Sequence, residues 1–171
     1  LSIIDLSPAG HQPMHLETRG LSIVFNGEIY NYKPLRAELE KLGYQFRSQG
    51  DSEVIAHLYD KYGEDCFERL NGMFAIAIWD QRQQKLVLAR DRLGQKPLFY
   101  SNQDGRLLFG SELKSLLAVP GVAREVSPQA VDLYLTYQYV PHPNCILAGC
   151  HKLSPGHRAV YQAGELRVEP F

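Results

Sequence analysis

The stretch VFNGEIYNY, residues 24–32, combines a strand pattern with three residues that are unusual inside a strand. Val24 and Phe25 suit a buried strand and Ile29 and Tyr30 resume the apolar pattern, but an amide, a glycine and a carboxylate stand between them. Because Asn and Gly both tolerate positive φ, a turn at the strand end is the commoner explanation. The alternative is a polar binding corner, since an Asn amide and a Gly backbone N–H can together stabilise an oxyanion.

The segments around this stretch predict a sheet with helices packed against it. We expect strands over 1–6 and 21–30, and amphipathic helices over 31–43 and 51–63, each ended by a glycine. Asn31 is placed to cap the first of these helices. A short strand is also expected at the YQF tripeptide between the two helices.

The middle of the chain is richer in strand. Four β-rich segments follow one another, MFAIAIWD, KLVLARD, PLFYS and RLLFGSE, and the last two are joined by an Asp-Gly hairpin signal. MFAIAIWD is apolar on both faces, as in a strand that is covered on both sides. The pattern predicts an α+β protein, with an antiparallel or mixed sheet and helices on its outer faces.

The sequence pattern changes after about residue 125. Ser127 and Pro128 are placed to begin a helix, and a last hairpin is expected to turn near Gly164. We therefore assign 1–125 to one domain and 126–171 to a linker and the start of a segment leading to another domain.

Composition excludes several classes of function. Eighteen basic and nineteen acidic residues give a formal charge of −1, which argues against nucleic acid or an anionic membrane as a partner. The three cysteines suggest neither a disulfide framework nor a zinc site, so a reducing, cytoplasmic compartment is expected. The six histidines lack metal-ligand spacing, and no metal site is predicted.

Two further charged stretches have both a structural and a functional interpretation. Asp51 stands where a helix N-cap belongs, which is the commonest use of such a residue, but it could instead bind a cationic group of a ligand. Arg90, Asp91 and Arg92 alternate in charge before a glycine turn, and a structural salt-bridge corner is expected there.

Six ordered stretches resemble a known family. LSIIDLSPAGHQPM, VFNGEIYNY, LRAELEKLGYQFRSQGDSEVI, LNGMFAIAIWD, LVLARDRLGQKPLFY and GSELKSLL are similar to the class II glutamine amidotransferase domain of asparagine synthetases. The resemblance covers nearly all of the chain. It implies the αββα sandwich of the N-terminal-nucleophile hydrolases, incomplete at its N-terminus.

The resemblance also implies roles for the residues of the opening stretch. Asn26 and Gly27 would form the oxyanion hole for the side-chain carbonyl of glutamine. Glu28 and Asp51 would hold its α-amino group. The backbone expected to line the same pocket belongs to Leu1, Ser2, Ile3 and Ile4.

The nucleophile of this family is an N-terminal Cys whose own α-amine is the general base. By resemblance, that Cys and an Arg that binds the α-carboxylate belong upstream of Leu1, so we read the chain as part of a longer polypeptide. Cys66, Cys145 and Cys150 are internal and have no free α-amine. No cofactor is expected in these residues, whereas ATP and Mg²⁺ would belong to a synthetase domain downstream.

The leading interpretation is part of a glutamine-dependent asparagine synthetase. Glutamine would be hydrolysed to glutamate and ammonia, and the ammonia used for ATP-dependent amidation of aspartate. One alternative is an amidotransferase with another acceptor, in a polysaccharide or antibiotic pathway, and another is a non-catalytic glutamine-binding or interaction module. The expected partners are glutamine and the synthetase domain, and a homodimer is left open.

The missing nucleophile gives a first prediction. A purified fragment of residues 1–171 should release no ammonia from glutamine, because Leu1 offers no thiol for the attack. A coupled ammonia assay measures this, with a longer fragment that carries the N-terminal Cys as its positive control. Ammonia release by residues 1–171 at the rate of the longer fragment would contradict the thiol mechanism.

Overall fold

The fold was analysed in a computed structural model that describes residues 4–171. It contains nine strands, four α-helices and three short 3₁₀ helices within that range. The strands are β1 (Met14–Leu16), β2 (Leu21–Ile29), β3 (Gly72–Asp80), β4 (Lys85–Arg90), β5 (Phe99–Gln103), β6 (Arg106–Gly110), β7 (His151–Lys152), β8 (His157–Gln162) and β9 (Glu165–Pro170). The helices are α1 (Tyr32–Lys41), α2 (Asp51–Tyr62), α3 (Leu113–Leu117) and α4 (Pro128–Tyr137), and the 3₁₀ turns are Pro8–Gly10, Glu17–Arg19 and Gly63–Arg69.

The strands form two antiparallel sheets. The larger has the order β1-β2-β3-β4-β8-β9, and the smaller has the order β6-β5-β7. Hairpins join β3 to β4 and β5 to β6, as the sequence predicts. The long β2–β3 pairing runs from Leu21 opposite Asp80 to Ile29 opposite Gly72, and it lies within the larger sheet.

Three hydrophobic clusters show how the layers stack. Leu39 of α1 and Leu58 of α2 pack with Phe25 on one face of the larger sheet. Ala75 and Tyr100 belong to the cluster that joins the larger sheet to the smaller one. The outer face of the smaller sheet is covered by α3 and by buried residues of a later loop. The order helix, sheet, sheet, helix confirms the predicted αββα sandwich.

The turn that the sequence favours at Asn26, Gly27 and Glu28 is not formed. β2 continues through Asn26, Gly27 and Glu28 to Ile29, so the strand-end turn is wrong. Its alternate side chains, among them Ile23, Phe25 and Ile29, are buried in the cluster that contains α1 and α2, while Asn26 and Glu28 lie on the opposite face of the strand. Asn26, Gly27 and Glu28 therefore occupy a strand of the larger sheet.

Several local predictions need correction. The predicted strand over 1–6 is not formed by Ile4–Leu6, and its first three residues lie outside the described range; the YQF tripeptide is not a strand either. Asn31 does occupy the N-cap of α1, but its side chain does not cap the helix. It accepts from the N–H of Asn71 and donates to the carbonyl of Arg69, which ties α1 to the start of β3.

The last third of the chain contributes to the same sheet as the first. Ser127 caps α4 through a hydrogen bond from the N–H of Ala130, as predicted. β8 and β9 form the predicted hairpin and are the two outer strands of the larger sheet beside β4. The division of the chain at about residue 125 stays a prediction.

The charged corner after β4 is structural, but it is not built from salt bridges. Asp91 is fully buried. Arg90 donates to three backbone carbonyls, those of Gly94, Lys96 and Leu153. The Asp91 carboxylate accepts from the backbone N–H groups of Phe74, Leu93, Gln95 and Lys96.

Replacing Asp91 with Ala should lower the free energy of unfolding by more than about 3 kcal/mol, because each buried N–H left unpaired costs about 1–3 kcal/mol. Urea unfolding measures the change. Asp132→Ala, on the exposed side of α4, is the control and should change stability by less than about 0.5 kcal/mol. Equal effects of the two substitutions would show that Asp91 does not hold the corner.

Candidate functional site

Asn26 and Glu28 point into the space between the two sheets at the end of β2. Asn26 pairs with Ala75 of β3, which belongs to the cluster between the sheets, and Glu28 is two residues further on the same face. The Asn26 Nδ2 donates to the Ser111 Oγ at 3.3 Å, just after β6. The amide thus reaches from the larger sheet to the end of the smaller one.

Gly27 is required by the close approach of β2 to β3. Its φ is +154°, and a Cβ built at this position would lie 2.0 Å from the carbonyl oxygen of Met73. Any side chain would force the two strands apart. The glycine therefore keeps the strand continuous between Asn26 and Glu28.

No strand among residues 4–171 covers the edge of β2 beside these residues, since β1 pairs only with the beginning of β2. The N–H of Phe25 donates to the Gln12 Oε1 at 2.6 Å, and the N–H of Ile29 donates to the Asp51 Oδ2 at 3.0 Å. Alternate residues of a strand direct their N–H groups to the same edge. The N–H of Gly27 accordingly faces this edge, between the Gln12 and Asp51 contacts.

Two carboxylates meet at this corner without a basic partner. Burial raises the pKa of Asp51 and the nearby charge of Glu28 raises it further, while the hydrogen bond from the Ile29 N–H acts in the opposite direction. Within residues 4–171, neither carboxylate forms an ion pair with Lys, Arg or His. Such a pair is suited to bind an ammonium group.

The position of Asp51 also corrects its interpretation as a cap. Gly50 is the N-cap of α2, and Asp51 is the first helical residue. Its side chain reaches across to accept from the Ile29 N–H of β2, and it also accepts from backbone N–H groups in the first turn of α2. The contact therefore fixes the start of α2 against the end of the strand that carries Glu28.

Asp5 holds the segment that contains Ile4 against the start of α2. Its carboxylate accepts from the N–H of Gln49 at 2.7 Å and from the N–H of Ser7 at 2.9 Å. A hydrogen bond with the Ser7 side chain lowers the pKa of Asp5 the most, and the two backbone hydrogen bonds lower it further. Ile4 is thereby placed near the residue pair that precedes Asp51, whereas Leu1, Ser2 and Ile3 lie outside the described residues.

The structure thus gathers Asn26, Gly27 and Glu28 at one end of β2 and attaches Asp51 to the same end. Sequence reasoning missed Asp5 and Ser111, although a carboxylate in the apolar run LSIIDL and the polar break after β6 were available signals. Two cavities, of about 670 and 470 Å³, are lined by other residues, and a third, of about 360 Å³, is lined by Ile4, Gln49 and residues of α1.

Other kinds of site find little support in the described part of the chain. Residues 4–171 contain no group of three or more His, Cys, Asp or Glu arranged to hold a metal ion. No helix within that range is long and apolar enough to cross a bilayer.

Asp51→Asn should not destabilise the protein at neutral pH, because Asn Oδ1 can still accept from the Ile29 N–H and a buried charge beside Glu28 is removed. Burial raises the pKa of Asp51 above its ordinary value of 3.8, so the folded state binds more protons than the unfolded one between these two pKa values. The wild-type protein should therefore lose stability relative to Asp51→Asn as pH rises through that window.

Denaturant unfolding of the two proteins from pH 3.5 to pH 7 measures this difference. Asp104→Asn, in the exposed turn between β5 and β6, is the matched control and should show no such trend. If Asp51→Asn were less stable than wild type at pH 7 but equally stable in acid, the raised pKa of Asp51 would be refuted.

Comparison with known proteins identifies the family of this chain. The family model of the glutamine amidotransferase domain matches residues 1–171. The chain is 37% identical over 171 residues to asparagine synthetase [glutamine-hydrolyzing] 3 of Bacillus subtilis, covering 98% of this chain and 28% of that protein. It is 42% identical over 156 residues to asparagine synthetase [glutamine-hydrolyzing] 1 of the same organism, covering 91% of this chain and 24% of that protein.

A solved structure agrees with the fold. Glutamine phosphoribosylpyrophosphate amidotransferase from B. subtilis superposes with a TM-score of 0.62 at 20% identity, over 93% of this chain and 31% of that one. The chain spans about a quarter of the length of the two synthetases that it matches. The predicted family is confirmed, because the match of the family model covers the whole chain: this chain belongs to the glutamine amidotransferase family.

Proposed function

We propose that this chain binds glutamine for hydrolysis to glutamate and ammonia as part of a larger asparagine synthetase. The observation that supports this most directly is the end of β2, where Asn26 and Gly27, the proposed oxyanion donors, adjoin two carboxylates that have no basic partner within the described residues 4–171. A hydrolase of an amide side chain on an α-amino acid needs both features, a site for the oxyanion and a site for the ammonium group.

The spacing of the strand fits a glutamine molecule. Asn26 and Glu28 lie on the same face of β2, and residues two apart in a strand are separated by about 7 Å. The ends of glutamine, its side-chain amide and its α-ammonium group, are a few carbon–carbon bonds apart. The ammonium group would bind between Glu28 and Asp51 while the amide carbonyl meets Asn26 and the N–H of Gly27.

A thiol is needed to attack this carbonyl, and the internal cysteines are unsuited to do so. Cys66, Cys145 and Cys150 are all buried. Burial raises the pKa of the Cys66 and Cys150 thiols, which disfavours the reactive thiolate. By resemblance to the family, we assign the nucleophile to an N-terminal Cys upstream of Leu1, with its α-amine as the base.

In the attack the thiolate adds to the amide carbon and the carbonyl oxygen becomes an oxyanion. Hydrogen bonds from the Asn26 Nδ2 and the Gly27 N–H would stabilise that charge as it forms. Proton transfer to the leaving nitrogen releases ammonia and leaves a thioester, which water hydrolyses to glutamate. The residues of this chain bind and polarise the substrate in both steps.

The ammonia acceptor belongs to the rest of the polypeptide. We assign ATP and Mg²⁺ to a synthetase domain that amidates aspartate, because the two relatives are named asparagine synthetases. The exposed apolar side chains of α4 and the residues after it would face that domain, including Tyr134 and Leu135, which are 53% and 75% exposed. The three free cysteines suit a cytoplasmic location.

Asn26→Ala in the full-length protein should lower glutamine-dependent asparagine formation by a hundred- to a thousandfold, or about 3–4 kcal/mol, because one oxyanion donor is lost. Ammonia-dependent formation should be nearly unchanged, since free ammonia enters after the glutaminase step. Steady-state assays with each nitrogen source measure the two rates. Gly27 is a poorer probe, because a side chain there would disturb the strand pairing.

Asn102→Ala is the matched control, because Asn102 is an exposed strand residue of β5. It should leave both activities at the wild-type level. Equal losses of glutamine- and ammonia-dependent activity in Asn26→Ala would point to a folding defect. No loss of either would remove Asn26 from the oxyanion hole.

A further inference from the structure

Ser111 contacts the proposed oxyanion donor but has no role in the function described above. Its Oγ accepts a hydrogen bond from the Asn26 Nδ2 at 3.3 Å, although the two residues are 85 positions apart in the sequence. The contact is partly buried and joins the larger sheet to the segment between β6 and α3. The sequence motif GSELKSLL contains this serine.

Both partners of this hydrogen bond are held by regular structure. Gly110, just before Ser111, pairs with Phe99 of β5, and a Cβ at Gly110 would lie 3.0 Å from the Ser115 Cβ. Leu116 of α3 is buried against the smaller sheet and anchors the chain after the serine. On the other side the backbone of Asn26 is fixed in the β2–β3 ladder. The hydroxyl therefore has a defined position relative to the amide.

The amide needs such a partner to act as an oxyanion donor. The terminal torsion of an Asn side chain has a broad, nearly two-fold preference, and only its nitrogen, not its oxygen, can donate to an oxyanion. The nitrogen carries two hydrogens. Donation of one to the Ser111 Oγ leaves the second for the substrate oxygen.

We propose that Ser111 is a positioning residue that keeps the Asn26 Nδ2 directed at the oxyanion. The inference rests on the proposed glutaminase function. Without Ser111 the Asn26 amide would still be present but could rotate about its terminal torsion. For part of the time its nitrogen would then point away from the substrate oxygen. The loss of glutamine-dependent activity should therefore be smaller than the loss caused by removing the Asn26 amide itself.

Ser111→Ala in the full-length protein should lower kcat for glutamine by about tenfold, less than the hundredfold or more expected without Asn26. The KM for glutamine should change little, because the α-amino group is held by other residues. Ammonia-dependent synthesis should stay at the wild-type rate. Ser111→Thr keeps the hydroxyl and should restore most of the lost kcat, whereas Ser115→Ala, on exposed α3 surface, should behave as wild type.

A double-mutant cycle tests whether Ser111 acts through Asn26. Ser111→Ala should lower glutamine-dependent kcat in the wild-type background and have no further effect when Asn26 is already Ala. Additive losses would overturn the inference, because Ser111 would then act independently of the amide. An unchanged kcat in Ser111→Ala, or a loss that Ser111→Thr does not recover, would overturn it as well.

The same cycle separates this inference from the function on which it rests. If Asn26→Ala alone does not reduce glutamine use selectively, the oxyanion assignment of Asn26 is wrong. If it does, but Ser111→Ala fails the tests above, only the positioning role of Ser111 is lost.

Discussion

The close approach of β2 and β3 at Gly27 is the constraint on which the rest of the site depends. With the Met73 carbonyl oxygen 2.0 Å from where a Cβ would be, only glycine allows the two strands to stay paired at this point. Continuous pairing keeps Asn26 and Glu28 on one face of the sheet and directs the N–H of Gly27 to the open edge. A turn here would have separated these three groups.

Carboxylates then connect other parts of the chain to this strand and to the loop before α2. Asp51 ties the start of α2 to the N–H of Ile29 in β2, and Asp5 ties the segment after Ile4 to the N–H of Gln49 just before α2. Both carboxylates accept from backbone N–H groups. Asp91 serves a purely structural corner in the same way, which shows that a buried carboxylate by itself does not mark a binding site.

What distinguishes the corner at β2 is charge that remains uncompensated. Arg90 lies beside Asp91 in sequence and shares its corner, whereas Glu28 and Asp51 have no basic partner among residues 4–171. Burial and the neighbouring Glu28 both raise the pKa of Asp51, which means that both disfavour its charged form. A cationic group bound beside the two carboxylates would favour the charged form, in keeping with the proposed binding of an ammonium group.

The sequence by itself determined strands β2 to β6, the hairpin of β8 and β9, helices α1, α2 and α4 and the α+β class, because period, glycine stops and hairpin signals are local properties. It also supplied the motifs by which Asn26, Gly27, Glu28 and Asp51 could be named. Only the tertiary structure decided that β2 continues through Asn26, Gly27 and Glu28 to Ile29, because the need for glycine arises from Met73 on another strand. The Asp51–Ile29 and Ser111–Asn26 hydrogen bonds likewise join residues 22 and 85 positions apart, and no local pattern encodes such contacts.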